Sequence, residues 1–143
     1  MKFLDRLHPL ALLVLRLGLG AVMIAHGAQK LFGGMPRFIG MLQNFGIPGW
    51  MGYLVVAAEF GGGVLLVVGL LTRLGALSIC IDMAVAIDKV HWKNGLVSAG
   101  GKVGYEFPLA CGIIAFALIF LGAGPIALDE VFFRGGGGSP SRK

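Results

Sequence analysis

A chain of 143 residues has room for one domain. It is 57% hydrophobic and 13% charged, roughly half the charge of a typical soluble domain. That excludes an ordinary soluble fold, since only a bilayer solvates so much apolar surface. The net charge of +5 lies mostly between and beyond the apolar runs, where it suits lipid headgroups. With no Lys/Arg-rich run and no nucleic-acid signature, RNA and DNA are excluded as partners.

At the N-terminus, Lys2 and Arg6 precede an apolar stretch that is too long for a leader and contains Arg16. No small-residue cleavage site follows it, so it reads as a retained first helix. Crossing the hydrocarbon takes about 20 apolar residues. Four segments qualify, over Leu10–Phe32, Gly52–Leu71, Leu74–Val90 and Tyr105–Leu121. Only Thr72 and Arg73 join the second to the third, which makes them an antiparallel hairpin. The expected fold is all-α, an integral membrane four-helix bundle. Both termini lie on one side (side A), and the loops after the first and third spans lie on the other (side B).

Between the first two spans, Phe38, Met41, Leu42 and Phe45 recur at helical spacing between Pro36 and Pro48. This predicts a short interfacial helix, with Trp50 at headgroup level. Residues 1–133 form the expected domain, and 134–143 a flexible basic Gly/Ser/Pro tail. Side A carries six Lys/Arg and side B five. The basic N-terminus tips this near-tie towards cytoplasmic termini in a bacterial inner membrane. The 25 glycines, Gly18, Gly20, Gly27 and Gly61 to Gly63 among them, suit close packing of membrane helices.

Ionisable groups inside a span are costly and mark candidate sites. Arg16 lies about 9 Å and Asp82 about 12 Å from side A at 1.5 Å per residue. Opposite charges at similar depth are expected to form a structural ion pair. The other charges gather near side B. His26 and Lys30 share one face of the first helix. Glu59 lies about 10 Å deep in the second, Asp88 and His91 end the third, and Glu106 begins the fourth. This layer reads in two ways. It is a polar pocket for a quinone-like amphipathic ligand, served by groups whose proton affinities shift in dry sites. Alternatively, these are ordinary polar helix ends reaching the headgroups. Glu59, flanked by Phe60 and three glycines, is the strongest functional candidate of the group.

Two histidines near one face do not specify haem or chlorophyll ligands, and no metal motif is present. Cys80 and Cys111 fall at different depths on antiparallel helices, so both are expected to be free thiols. No phosphate-binding glycine loop supports a stand-alone enzyme.

At these same residues the chain resembles the DoxX family of small bacterial membrane proteins. Arg16 is followed by His26-Gly27-Ala28-Gln29-Lys30-Leu31-Phe32-Gly33, similar to the family's H-G-x-x-K-L block. Glu59-Phe60-Gly61-Gly62 and Gly69-Leu70-Leu71-Thr72-Arg73 resemble its acid-glycine and G-L-x-T-R blocks. Met83, Ala86 and His91 are similar to its third-helix pattern, and Glu106 to its fourth-helix acid. Gly122-Ala123-Gly124-Pro125-Ile126-Ala127-Leu128-Asp129 keeps the glycines and Leu-Asp of G-P-G-x-Y-S-L-D but lacks its hydroxyls. The resemblance spans about Leu10 to Phe133. It implies a four-helix membrane fold associated with redox systems. With the residues above, it leads to the expectation of a quinone-interacting subunit of a membrane redox or electron-transfer assembly, with other membrane subunits as partners. Glu59 would be its proton-exchanging, catalytic group, and His26, Lys30, Asp88, His91 and Glu106 would bind the ligand. If active, such a chain is a quinone-linked oxidoreductase component. The alternative is a non-catalytic accessory subunit whose charges fasten its helices.

Overall fold

The computed structural model describes residues 6–134. Among them there is no strand, only an isolated bridge between Ala99 and Lys102. Of the tail expected at 134–143, only Arg134 falls within the described residues.

Helix α1 spans His8–Gly33 and opens on Pro9, whose missing N–H costs nothing in a first turn. Lys30 sits in its last turn, favourable beside the carbonyl end of the helix dipole. The chain reverses at Gly34 into α2, Met35–Asn44, which has Pro36 in its first turn. This is the helix expected between the first two spans. Its apolar spacing turns Leu42 into the interior and leaves Phe45 exposed. Trp50 stands exposed just before α3, Met51–Val68.

Gly69 ends α3 in the left-handed region, with the amides of Gly69 and Leu70 bonded to Leu65 O. Leu71 (φ 48°) turns the chain into α4, which comprises Thr72–Val85 and its π-helical continuation Ala86–His91. A 3-10 turn, Trp92–Asn94, leads into the loop before α5, Glu106–Leu121. A last π-turn covers Glu130–Arg134.

Helices α1 and α3 are long and apolar enough to cross a bilayer. Helix α4 matches them in length but carries Arg73, Asp82, Asp88 and Lys89. Helix α5 has 16 residues, about 24 Å of rise. The broadest packing joins α4 to α5 and α1 to α3. The core is a layer of Leu19, Met23, Leu66, Ile79, Ala115 and Leu118 with their neighbours. Cys80 and Cys111 are free thiols packed in or against it, as their depths require.

Glycine brings α1 and α3 into backbone contact at two levels. A Cβ on Gly20 would lie 2.8 Å from Gly63 O, and one on Gly27 would lie 2.6 Å from Phe60 N. Gly18 and Gly61, expected to act alike, face open space instead. Gly27→Leu is therefore expected to force α1 away from α3 at the level of Glu59. An overpacking cost of about 1–3 kcal/mol should appear as a lower thermal midpoint in detergent, whereas Gly18→Leu should leave it unchanged.

Arg16 and Asp82, expected to pair, do not meet. Arg16 is buried and donates from Nη1 to Ala123 O (2.6 Å) and from Nη2 to Ile126 O (2.8 Å). These carbonyls belong to the segment after α5, which folds back beneath the bundle. Both depths are counted from the end of the bundle that holds the Gly69–Leu71 turn, and it is Arg16 that departs from expectation. Arg16 lies level with that turn, its guanidinium against Gly69. Asp82 is eleven residues beyond Leu71, about 16 Å further along. Glu59 is ten residues before Gly69, which sets the two carboxylates at one depth.

Candidate functional site

At the end of the bundle away from the Gly69–Leu71 turn, α1, α3, α4 and α5 surround a cavity of about 300 Å³. Phe38, Met41 and Leu42 of α2 close it on one side, with Ile47 and Val103 from the loops. Its walls are largely apolar. The polar exceptions are His26, Lys30, Glu59, Asp82 and His91.

Each reaches the cavity for a local reason. His26 and Lys30 are four residues apart on α1 and so share a face. Glu59 lies within a π-turn, Ala57–Gly61, and His91 closes another, Ala86–His91. Such widened turns are frequent at functional sites, and here two flank one cavity. Lys30 Nζ donates to both carboxylate oxygens of Glu59 and lies 5.2 Å from the centroid of the Phe38 ring. Glu59 is 4% exposed, so this ion pair is the compensation that its burial requires.

The two histidines are held alike. His26 Nδ1 lies 3.0 Å from Val22 O, and His91 Nδ1 lies 3.0 Å from Val103 O. A carbonyl only accepts, so Nδ1 carries the proton in both rings. In the neutral imidazole Nε2 then keeps its lone pair. His26 also stacks on Phe107, with centroids 4.9 Å apart and planes at 20°.

Asp82 is the member that reasoning from depth assigned elsewhere. It is 9% exposed and lines the cavity, within electrostatic reach of Glu59 and Lys30. Among the described residues it forms no ion pair. Met51, Val55, Asp82 and Val85 also line a groove on the outer face between α3 and α4, so cavity and groove share a wall.

Asp88 and Glu106, expected in the same layer, lie outside the cavity. Asp88 is exposed beside Lys89 at 2.9 Å. Glu106 accepts a hydrogen bond from Ser98 N at 3.1 Å and fastens the loop before α5. Trp92 stacks on Tyr105 in that loop, with centroids 5.6 Å apart. Both acids belong to helix ends, where loop fastening and solvent compete for them. Among the described residues, no group of three or more His, Cys, Asp and Glu could hold a metal ion.

The described residues thus form an all-helical protein with two helices long and apolar enough to cross a bilayer and a charged cavity walled by apolar side chains. The DoxX family model matches residues 11–92, more than half of the chain, and the chain belongs to that family, whose members are membrane-associated. The match covers Arg16, His26, Lys30, Glu59, Asp82 and His91, and ends before α5. The chain is 30% identical over 132 residues to a Bacillus subtilis protein named "Putative oxidoreductase CatD", with 92% of this chain and 94% of that one covered. It is 34% identical over 143 residues to an uncharacterized Haemophilus influenzae protein, with 94% and 99% covered. No solved structure matches it.

Proposed function

We propose that this protein is a multi-pass subunit of a membrane redox assembly, and that its cavity holds the head group of a quinone-type amphipathic molecule. The observation that carries the reading is the convergence of Lys30, Glu59, Asp82, His26 and His91 on one apolar-walled cavity. Quinone rings take up and release protons as they change oxidation state, and this site offers carboxylate and imidazole groups in a shielded setting. The outer groove beside Asp82 suits an isoprenoid or alkyl tail arriving from the lipid. The name of the Bacillus relative is consistent with redox work.

The same proposal takes all four long helices across a bacterial inner membrane. Outward-facing side chains such as Ile113, Phe116 and Phe120 are more than half exposed, which suits lipid or a partner subunit better than water. It places α2 and Trp50 at the interface and both termini on the cytoplasmic side.

In this reading Glu59 exchanges a proton with the ligand, and Lys30 sets its position. Glu59→Gln keeps the shape and removes the charge. In native membranes it should lower quinone-linked electron transfer by about a hundredfold, the scale of general acid–base effects. A variant with unchanged quinone binding and an unchanged rate would sink the proposal.

One observation favours a second reading, a non-catalytic accessory subunit. Lys30 occupies both oxygens of Glu59, as a fastener between α1 and α3 would. Glu59→Gln would then weaken assembly without a specific loss of turnover. Affinity purification from native membranes, with mass spectrometry of the proteins and lipid-soluble molecules retained, separates the two readings.

A further inference from the structure

A census of donors and acceptors in the cavity narrows the ligand. Lys30 directs two N–H bonds to Glu59, and its ammonium is also engaged with the Phe38 ring. Glu59 receives both of those bonds. His26 and His91 each commit Nδ1–H to a backbone carbonyl, so what each neutral ring has left is an acceptor. Asp82 lines the cavity, is nine-tenths buried and has no hydrogen-bond partner among the described residues. As a carboxylate it offers only acceptors. The uncommitted polar capacity of the cavity is therefore weighted towards acceptors. An acceptor facing an apolar-walled cavity gains from a donor, and the fitting ligand supplies one.

We infer that the cavity selects the hydroxylated, reduced form of such a ring, an aromatic diol of the hydroquinone type, with Asp82 accepting a hydrogen bond from a ring hydroxyl. With Asp82 ionised, a dione brings two more acceptors and no donor, so it leaves Asp82 unanswered. The inference rests on the quinone-type reading above and adds two things: the oxidation state preferred, and a ligand-binding residue distinct from Glu59. Asp82 also stands at the wall shared with the outer groove. A hydroxyl there would sit where the outer groove meets the cavity.

The test uses the full-length chain in detergent under anaerobic conditions, titrated calorimetrically with three probes: a short-chain alkyl hydroquinone, its dimethyl ether and the corresponding quinone. The hydroquinone should bind about tenfold to a hundredfold more tightly than either other probe, the range set by one hydrogen bond to a charged group. Asp82→Leu should abolish this preference. Asp82→Asn, which keeps a carbonyl acceptor but adds an NH2 donor that a dione can use, should narrow the preference, and it serves as the folded control should the leucine variant fail to fold. Equal binding of the three probes, or a preference that survives in Asp82→Leu, would overturn the inference while leaving the quinone-type reading intact. Binding of none of the three would remove both.

Discussion

Lys30→Met is expected to lower the stability of the folded protein by about 3–5 kcal/mol, the usual cost of removing one partner from a buried ion pair. Glu59 is 4% exposed, and Lys30 donates to both of its oxygens. Without the ammonium, Glu59 and Asp82 would share one apolar cavity with no cation of α1 between them. Methionine is the proper replacement because it preserves the length and apolar stem of lysine, so the effect reports the charge. Chemical or thermal unfolding in a fixed detergent measures the loss. The double variant Lys30→Met with Glu59→Gln should recover much of it, since an amide is far cheaper to bury than an unpaired carboxylate. If Lys30→Met alone matched the wild type, the pair would contribute nothing to folding. Its closeness would then have to serve another purpose.

How much of this was legible in the sequence follows from which interactions leave a periodic trace. The helices did. Apolar runs of bilayer length gave α1 and α3 to within about two residues at each end, except that α3 stops at Val68 because Gly69 takes the left-handed turn. The segment of Pro36, Phe38, Met41 and Leu42 gave α2 by its spacing. His26, Lys30, Glu59 and His91 were placed on one layer by depth alone, and all four line the cavity.

Three features left no such trace. A π-turn shifts the helical phase by one residue without a compositional signal, so nothing marked Ala57–Gly61 or Ala86–His91. Arg16 was set too deep, because it lies level with the hairpin turn from which Asp82 was counted. In a hairpin, depth is counted from the shared turn, and that count sets Asp82 beside Glu59 rather than beside Arg16. Arg16 itself could not be assigned by pairing charges, because its partners are the backbone carbonyls of Ala123 and Ile126. Asp88 and Glu106 show the opposite error, since acids at helix ends are as easily taken by solvent or by a loop amide.

Arg16→Met should be at least as damaging as loss of Lys30, for a different reason. At 2% exposure, the Arg16 guanidinium bridges two carbonyls in the segment after α5 and packs against Gly69. Beside it, the Asp129 carboxylate accepts from Leu71 N (2.6 Å) and Thr72 N (3.0 Å), the free amides at the start of α4, and Asp129 N donates to Gly69 O at 2.8 Å. The guanidinium and the carboxylate thus lock α1, the hairpin turn and the C-terminal segment together. Removing Arg16 strands two carbonyls at about 1–3 kcal/mol each and deprives Asp129 of a nearby positive charge. The expected total is about 3–6 kcal/mol, read as a fall in the unfolding midpoint. Arg16→Lys should recover only part of it, because a single ammonium cannot reproduce a planar fork aimed at two acceptors. Any Arg16→Met protein that remains folded should still bind the hydroquinone probe as the wild type does, since the cavity lies about 16 Å away along the bundle. Full stability in Arg16→Met would mean that the C-terminal segment is held by Asp129 alone. Lost binding in a folded variant would instead show that the two ends of the bundle are coupled through α1.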